Sequence, residues 1–182
     1  MQILCVASLW ICGAAPDRAL ELAERVPLAS QEIAFSPPEG RFSVRVPAEP
    51  VVSGKTRRTT LGAVVETRYA VEIADTSLAV ELHDLPRVAA FLLPASAILG
   101  RARDRLLEDT GGRAVATRDA PHRGFPAREV TYEIPEEPVQ VEKALLVLVE
   151  HRLYIALATW PRALAAHPAA ERLFETFEVW QP

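Results

Sequence analysis

Apolar and polar positions change rhythm several times along this chain. Residues Ile3 to Ala15 form an uncharged run. From Gly40 the rhythm is strict alternation: Phe42, Val44 and Val46 share one face, Ser43 and Arg45 the other. Alternation of period two predicts a half-buried strand. It returns after a turn at Leu61-Gly62, where Val65, Thr67, Tyr69, Val71 and Ile73 oppose Glu66, Arg68, Ala70 and Glu72. After a turn at "ADTS", Leu78, Val80 and Leu82 oppose Ala79, Glu81 and His83. Between the first two strands "KTRRTT" is polar and β-branched, as suits an edge strand or hairpin arm. Successive strands joined by short turns predict an antiparallel meander.

The period then becomes helical. Ile98, Leu99, Ala102 and Leu106 line one side of Pro94 to Asp109, with Arg101, Arg105 and Glu108 opposite. Pro94 or Ser96 starts this helix, and Gly111-Gly112 ends it as a left-handed cap requires. The stretch before it, "VAAFLL", is apolar throughout and reads as a buried connection or an earlier helical turn. Strands resume at Val115 and Thr117. After the loop "APHRGFP", "AREVTYEI" turns Val130, Tyr132 and Ile134 inward. "VQVEKALLVLVE" and "RLYIALATW" meet at a tight turn near His151 and are apolar on both faces, the mark of a sheet's covered centre. Pro168 begins a last helix with Leu173, Phe174 and Phe177 as its buried stripe. Strands, helix, strands, helix make an α+β domain.

The opening run suits the h-region of a secretory signal over residues 1–15 and is too short to span a bilayer. Cys12, with Leu9 before it and Gly13 after it, is the candidate for lipid attachment. A retained first helix or strand is the third reading. Both cysteines, Cys5 and Cys12, lie in this run, so its removal leaves a mature domain without thiol chemistry or disulfides. Residues 16–38 read as a tether, with "DRALELAERV" able to form a short helix before Pro27 and Pro37-Pro38 break it. The folded domain is expected over 39–182.

Four sets of residues agree with a known pattern. "FSVRVPAEP", the loop and strand "GFPAREV", "RLYIAL" and the closing "AAERLFETFEV" together resemble the PsbP-like domains of secreted bacterial proteins, over Phe35 to Val179. The resemblance implies a central antiparallel β-sheet flanked by helices, an α/β/α sandwich. Better-known members of that family serve as extrinsic or assembly factors of photosynthetic complexes, and a related fold regulates nuclear transport. No partner-binding or metal-binding motif of those proteins can be matched here residue by residue. The resemblance therefore implies binding rather than catalysis, without naming a partner.

Composition adds exclusions. A net charge of -4 argues against a general polyanion binder. All cations except Lys55 and Lys143 are arginines, and asparagine is absent, a bias that fits a GC-rich genome. His83, His122, His151 and His167 show no zinc spacing. His83-Asp84 places a histidine directly beside a carboxylate. Glu133, Glu136, Glu137 and Glu142 form the densest acidic patch but lack the glycine and alternating aspartates of a calcium loop. No serine sits in a G-x-S-x-G turn, and no glycine loop precedes Lys-Ser or Lys-Thr, so no catalytic residue, cofactor or metal ligand is assigned.

Lys55, Arg57 and Arg58 are the candidate partner-binding residues, on a strand whose charges also discourage edge pairing. Arg101, Arg103 and Arg105, interleaved with Asp104, Glu108 and Asp109, read as a solvated helix face. Neither cluster carries interleaved aromatics, so nucleic acid is not an expected partner. Trp160 and Trp180 would mark an interface if exposed together. The expectation is a non-catalytic secreted or periplasmic domain that presents a sheet edge or helix-flanked surface to a protein in an envelope complex. It meets the membrane only through a lipid on Cys12. The alternatives are a small-molecule or lipid carrier with a cleft between sheet and helix, and a hydrolase whose His83 or His122 converges with a carboxylate and a serine.

Overall fold

The computed structural model describes residues 32–181. In chain order the elements are β1 (Ile33–Phe35), β2 (Phe42–Val46), β3 (Val51–Thr59), β4 (Gly62–Ile73), β5 (Thr76–Asp84), α1 (Arg87–Leu92), α2 (Ala95–Thr110), β6 (Arg113–Asp119), β7 (Ala127–Ile134), β8 (Gln140–Val149), β9 (Arg152–Pro161), α3 (Pro168–Thr176) and β10 (Glu178–Val179). Seven strands form an antiparallel sheet in the order β3-β4-β5-β9-β8-β7-β6. The meander β3-β4-β5 and the meander β6-β7-β8-β9 meet where β5 pairs with β9. That junction explains why β8 and β9 are apolar on both sides: they lie inside the sheet and both of their faces are covered.

On one face Leu153, Ile155 and Leu157 of β9, with Ala144, Leu146 and Leu148 of β8 and Val130 of β7, lie beneath Ile98 and Leu99 of α2. On the opposite face Tyr154, Ala156 and Ala158 join Leu145 and Val147 against Leu173 and Phe177 of the α3 segment. This second face is not covered by a helix alone. A small sheet, β1-β2-β10, lays Phe42, Val44 and Val46 onto it, all nearly inaccessible to solvent. The expectation of helices on both sides is thus met on one side, and shared between a sheet and a helix on the other.

The expected tether also ends earlier than residue 38. Ile33, Ala34 and Phe35 pair with Val46, Arg45 and Val44, so they belong to the folded unit. The rest of that tether lies outside the described residues, apart from Glu32 and 36–38. Gly111 ends α2 with φ 63°, and the N–H of Gly112 returns to the Leu107 carbonyl at 2.8 Å, the expected left-handed cap. Pro94, rather than Ser96, occupies the N-cap position of α2. Among the described residues no helix is long and apolar enough to cross a membrane.

Candidate functional site

Strand alternation decides where the charged residues go. Lys55 and Arg57 of β3 and Glu66 of β4 share the α2 face, and Lys55 pairs with Glu66 across the ladder. Lys55 Nζ and Arg57 Nε both reach the Glu66 carboxylate at 3.1 Å. Burial pushes the Glu66 carboxyl up, yet its bond to Lys55, the nearby His83 and its bond to Arg57 outweigh this and hold it below the usual range. Arg58 projects from the opposite face. The structure therefore splits the predicted basic trio into an ion-paired couple and a separate cation.

His83 and Asp84 separate in the same way. His83 Nε2 donates to Glu81 Oε2 at 3.0 Å, and Arg68 Nη1 donates to Glu81 Oε1 at 2.6 Å. Asp84 turns to the other face, where its Oδ1 lies 2.7 Å from Arg152 Nε. Among the described residues no serine hydroxyl is hydrogen-bonded to the His83 ring. His122 Nε2 is 2.9 Å from the Phe177 carbonyl oxygen, and its ring stacks on that of Phe177. It ties the "APHRGFP" loop to the end of α3. His167 caps α3, with Nδ1 accepting from the Ala169 N–H at 3.1 Å. His83, His122 and His167 are bound to different parts of the fold, and His83, His122 and a serine do not converge.

The acidic patch is divided as well. Glu133 pairs with Arg113 at 3.1 Å and Arg162 at 3.3 Å on one face. Glu142 is buried on the other, accepting from the Tyr132 hydroxyl and, at 2.6 Å, from the Thr159 hydroxyl. Burial, with the Glu142 charge beside it, pushes Tyr132 far above the ordinary tyrosine range. Glu136 and Glu137 are exposed on the connecting turn. Among the described residues no three acidic, histidine or cysteine side chains are grouped to hold a metal ion.

The surface that sequence reasoning misplaced is α1. Its apolar "VAAFL" does form a helical turn, but only Ala89 is buried. Phe91 is 88% exposed, Leu92 60% and Val88 47%, at i, i+3 and i+4 on a single side. Ala89, flanked by Leu85 and Leu93 packed on the α2-side core, anchors the turn. Beside it Arg87, Ala90 and Phe91 face the Glu150-His151 turn across an open depression of roughly 330 Å³. The Leu85 N–H donates to the His151 carbonyl at 2.9 Å and fixes that turn against the helix. By contrast, the apolar gap between the main and small sheets, lined by Phe35, Tyr69, Val71 and Leu78, encloses about 10 Å³. A carrier's ligand has no room there. Trp180 is exposed, whereas Trp160 is half-buried against the core on a different strand, so the two do not form one patch. Cys5, Cys12 and the signal assigned to residues 1–15 lie outside the described residues.

No protein-family model and no curated protein sequence matches the chain. Among solved structures it is similar to CyanoP, the cyanobacterial PsbP of Synechocystis sp. PCC 6803. The TM-score is 0.55 at 10% identity, over 93% of this chain and 99% of that one. A Pseudomonas aeruginosa protein of unknown function aligns over 72% of this chain and 84% of its own, with 9% identity and a TM-score of 0.39. The likeness to CyanoP is one of architecture: this chain has a PsbP-like fold.

Proposed function

We propose that this chain is a non-catalytic docking domain that works outside the cytoplasm, in the secreted or periplasmic space, and binds a protein partner through α1. The observation that supports this most is the trio Val88, Phe91 and Leu92, apolar side chains left in water on a helical turn whose base is anchored. Exposed aromatic and aliphatic anchors at helical spacing fit a hydrophobic groove on another protein, and the polar neighbours Arg87, Glu150 and His151 would form the rim. The PsbP-like fold agrees, because folds of this kind are scaffolds on which binding surfaces vary. A secreted PsbP-like family member with residues 1–15 as a cleaved signal belongs to the same proposal; lipid anchoring through Cys12 is the alternative to that cleavage, since removal of residues 1–15 removes Cys12.

The test places a photo-crosslinking amino acid at position 91, or at position 117 on β6 as control, in the protein expressed at native level in its own host. A discrete adduct from position 91 and none from position 117 supports docking through α1. A smear of equal intensity at both positions, or no adduct at position 91, overturns it. Mass analysis of the recovered chain reads its N-terminus. A start near Ala15 supports export, and an intact Met1 sinks it.

A further inference from the structure

The main sheet ends in two edge strands, and they differ. β6 is interrupted by a bulge between Ala114 and Ala116 and mixes Arg113 and Arg118 with Asp119. Bulges twist an edge away from further pairing. β3 carries charges but no bulge. Its register with β4 runs without a shift from Val51 opposite Ala70 to Thr59 opposite Gly62. The strand is exposed on both faces, and among the described residues nothing pairs with its outer side. At about 3.3 Å per residue, roughly 30 Å of backbone donors and acceptors faces outward.

Its charge selects the occupant. β3 bears Lys55, Arg57 and Arg58 and no carboxylate. Glu66 satisfies Lys55 and Arg57 together with a single negative charge, so the edge stays positive even after that pairing. A second copy of the chain is a poor match. In any alignment of β3 with itself its cations meet only cations or neutral residues, and like charges placed opposite each other repel. An extended acidic segment suits both the backbone and the charges.

We infer that β3 is an edge for strand addition, taking an acidic, extended segment of the protein docked at α1. The inference rests on the docking reading, and the two surfaces adjoin. The β3–β4 turn packs on the start of α1, where a Cβ on Gly62 would come within 3.1 Å of Pro86. In an antiparallel pairing the incoming strand meets Arg58 and Arg57 first and the exposed Val51 and Val52 last. Its acidic residues therefore precede its apolar ones. The backbone ladder supplies affinity, and the carboxylates set register.

The probe is a capped nonapeptide with glutamates alternating in its first half and valines in its second, titrated into the full-length protein. Two control peptides carry lysine for glutamate, or proline at every second position. Amide NMR shifts map the site and fluorescence polarisation gives affinity. The expected result is saturable binding of the acidic peptide, with shifts concentrated in residues 51–59 and not in 113–119. Affinity should fall at least tenfold for the folded Lys55→Glu/Arg58→Glu variant and for both control peptides. Equal binding by the proline peptide would show a charge attraction without a ladder and overturn strand addition. So would shifts centred elsewhere, no binding, or indifference to the double charge reversal. An adduct at position 91 with a failed peptide loses strand addition alone. A bound peptide with no adduct at 91 loses docking through α1.

Discussion

His167 holds the start of α3 with a ring nitrogen where a hydroxyl or carboxylate is usual. Because Nδ1 accepts from the Ala169 N–H, His167→Ala should lower stability by about 1 kcal/mol. His167→Asp should equal or exceed the parent, since a carboxylate also complements the helix dipole. Urea midpoints at unchanged slope decide it, and an unshifted Ala variant would refute the cap. Single residues also set the pH profile. Burial raises Glu81, but His83 and Arg68 outweigh it and hold the carboxyl below its ordinary 4.5, as Lys55, His83 and Arg57 do for Glu66. A depressed folded value means that the unfolded chain takes up protons first as pH falls. This stabilisation is therefore present above about pH 4.5 and lost below it. Tyr132, Tyr154 and Tyr69 are raised above 10.0, chiefly by burial, so their stabilisation holds below pH 10 and fades as pH climbs past it. Urea midpoints should trace a plateau between these limits, with a shallower acid limb in Glu81→Gln. A flat acid limb in the parent would contradict the ion network.

At the scale of elements, the end of α2 separates two uses of glycine. Gly111 sits at φ 63° with nothing within 4 Å of the place a Cβ would take, so Gly111→Ala should cost only the left-handed penalty of about 1–2 kcal/mol. Gly112 is different: a Cβ there would lie 2.7 Å from the ring of Tyr132, which is wholly buried and hydrogen-bonded to Glu142. Gly112→Ala should cost more, up to about 3 kcal/mol, through overpacking. Thermal unfolding of the two variants checks the order, and a less stable Gly111→Ala would reverse the assignment. The pair was legible as a helix stop, but Tyr132's approach was not, since it comes from a strand twenty residues on. β4 and β5 were legible from their alternation, and β8 and β9 from long apolar runs bounded by turn residues, as strands covered on both faces require. β1 and β10 exist only because β2 offers them a partner, so no local pattern announces them. The same alternation that revealed β5 also assigns His83 and Asp84 to opposite faces. The useful spacing was Glu81 to His83, two apart on one face. α1 misled for the opposite reason: an all-apolar turn reads as buried, and nothing in "VAAFL" tells that only Ala89, the first of its two alanines, is buried.

For the whole molecule, a single sheet serves two cores. Alternate residues of β8 and β9 point into each, so neither face can loosen without disturbing strands that support the other. Leu99 on the α2 side and Leu173 on the α3 side should therefore report on one transition. Leu99→Ala and Leu173→Ala are each expected to cost about 2–5 kcal/mol, with circular dichroism and tryptophan fluorescence tracing coincident urea curves. Separate transitions for the two faces would show that the sheet does not couple them. Phe91 stands outside both cores, so Phe91→Asp should leave the urea midpoint within about 0.5 kcal/mol of the parent, while abolishing partner capture at α1. That contrast separates what the chain needs to fold from what it needs to bind. A costly Phe91→Asp would mean that α1 props up the α2 core, and the exposed trio would lose its claim to be the docking face. A neutral one leaves an aromatic side chain held in water by a rigid scaffold, a position that folding alone gives no reason to fill.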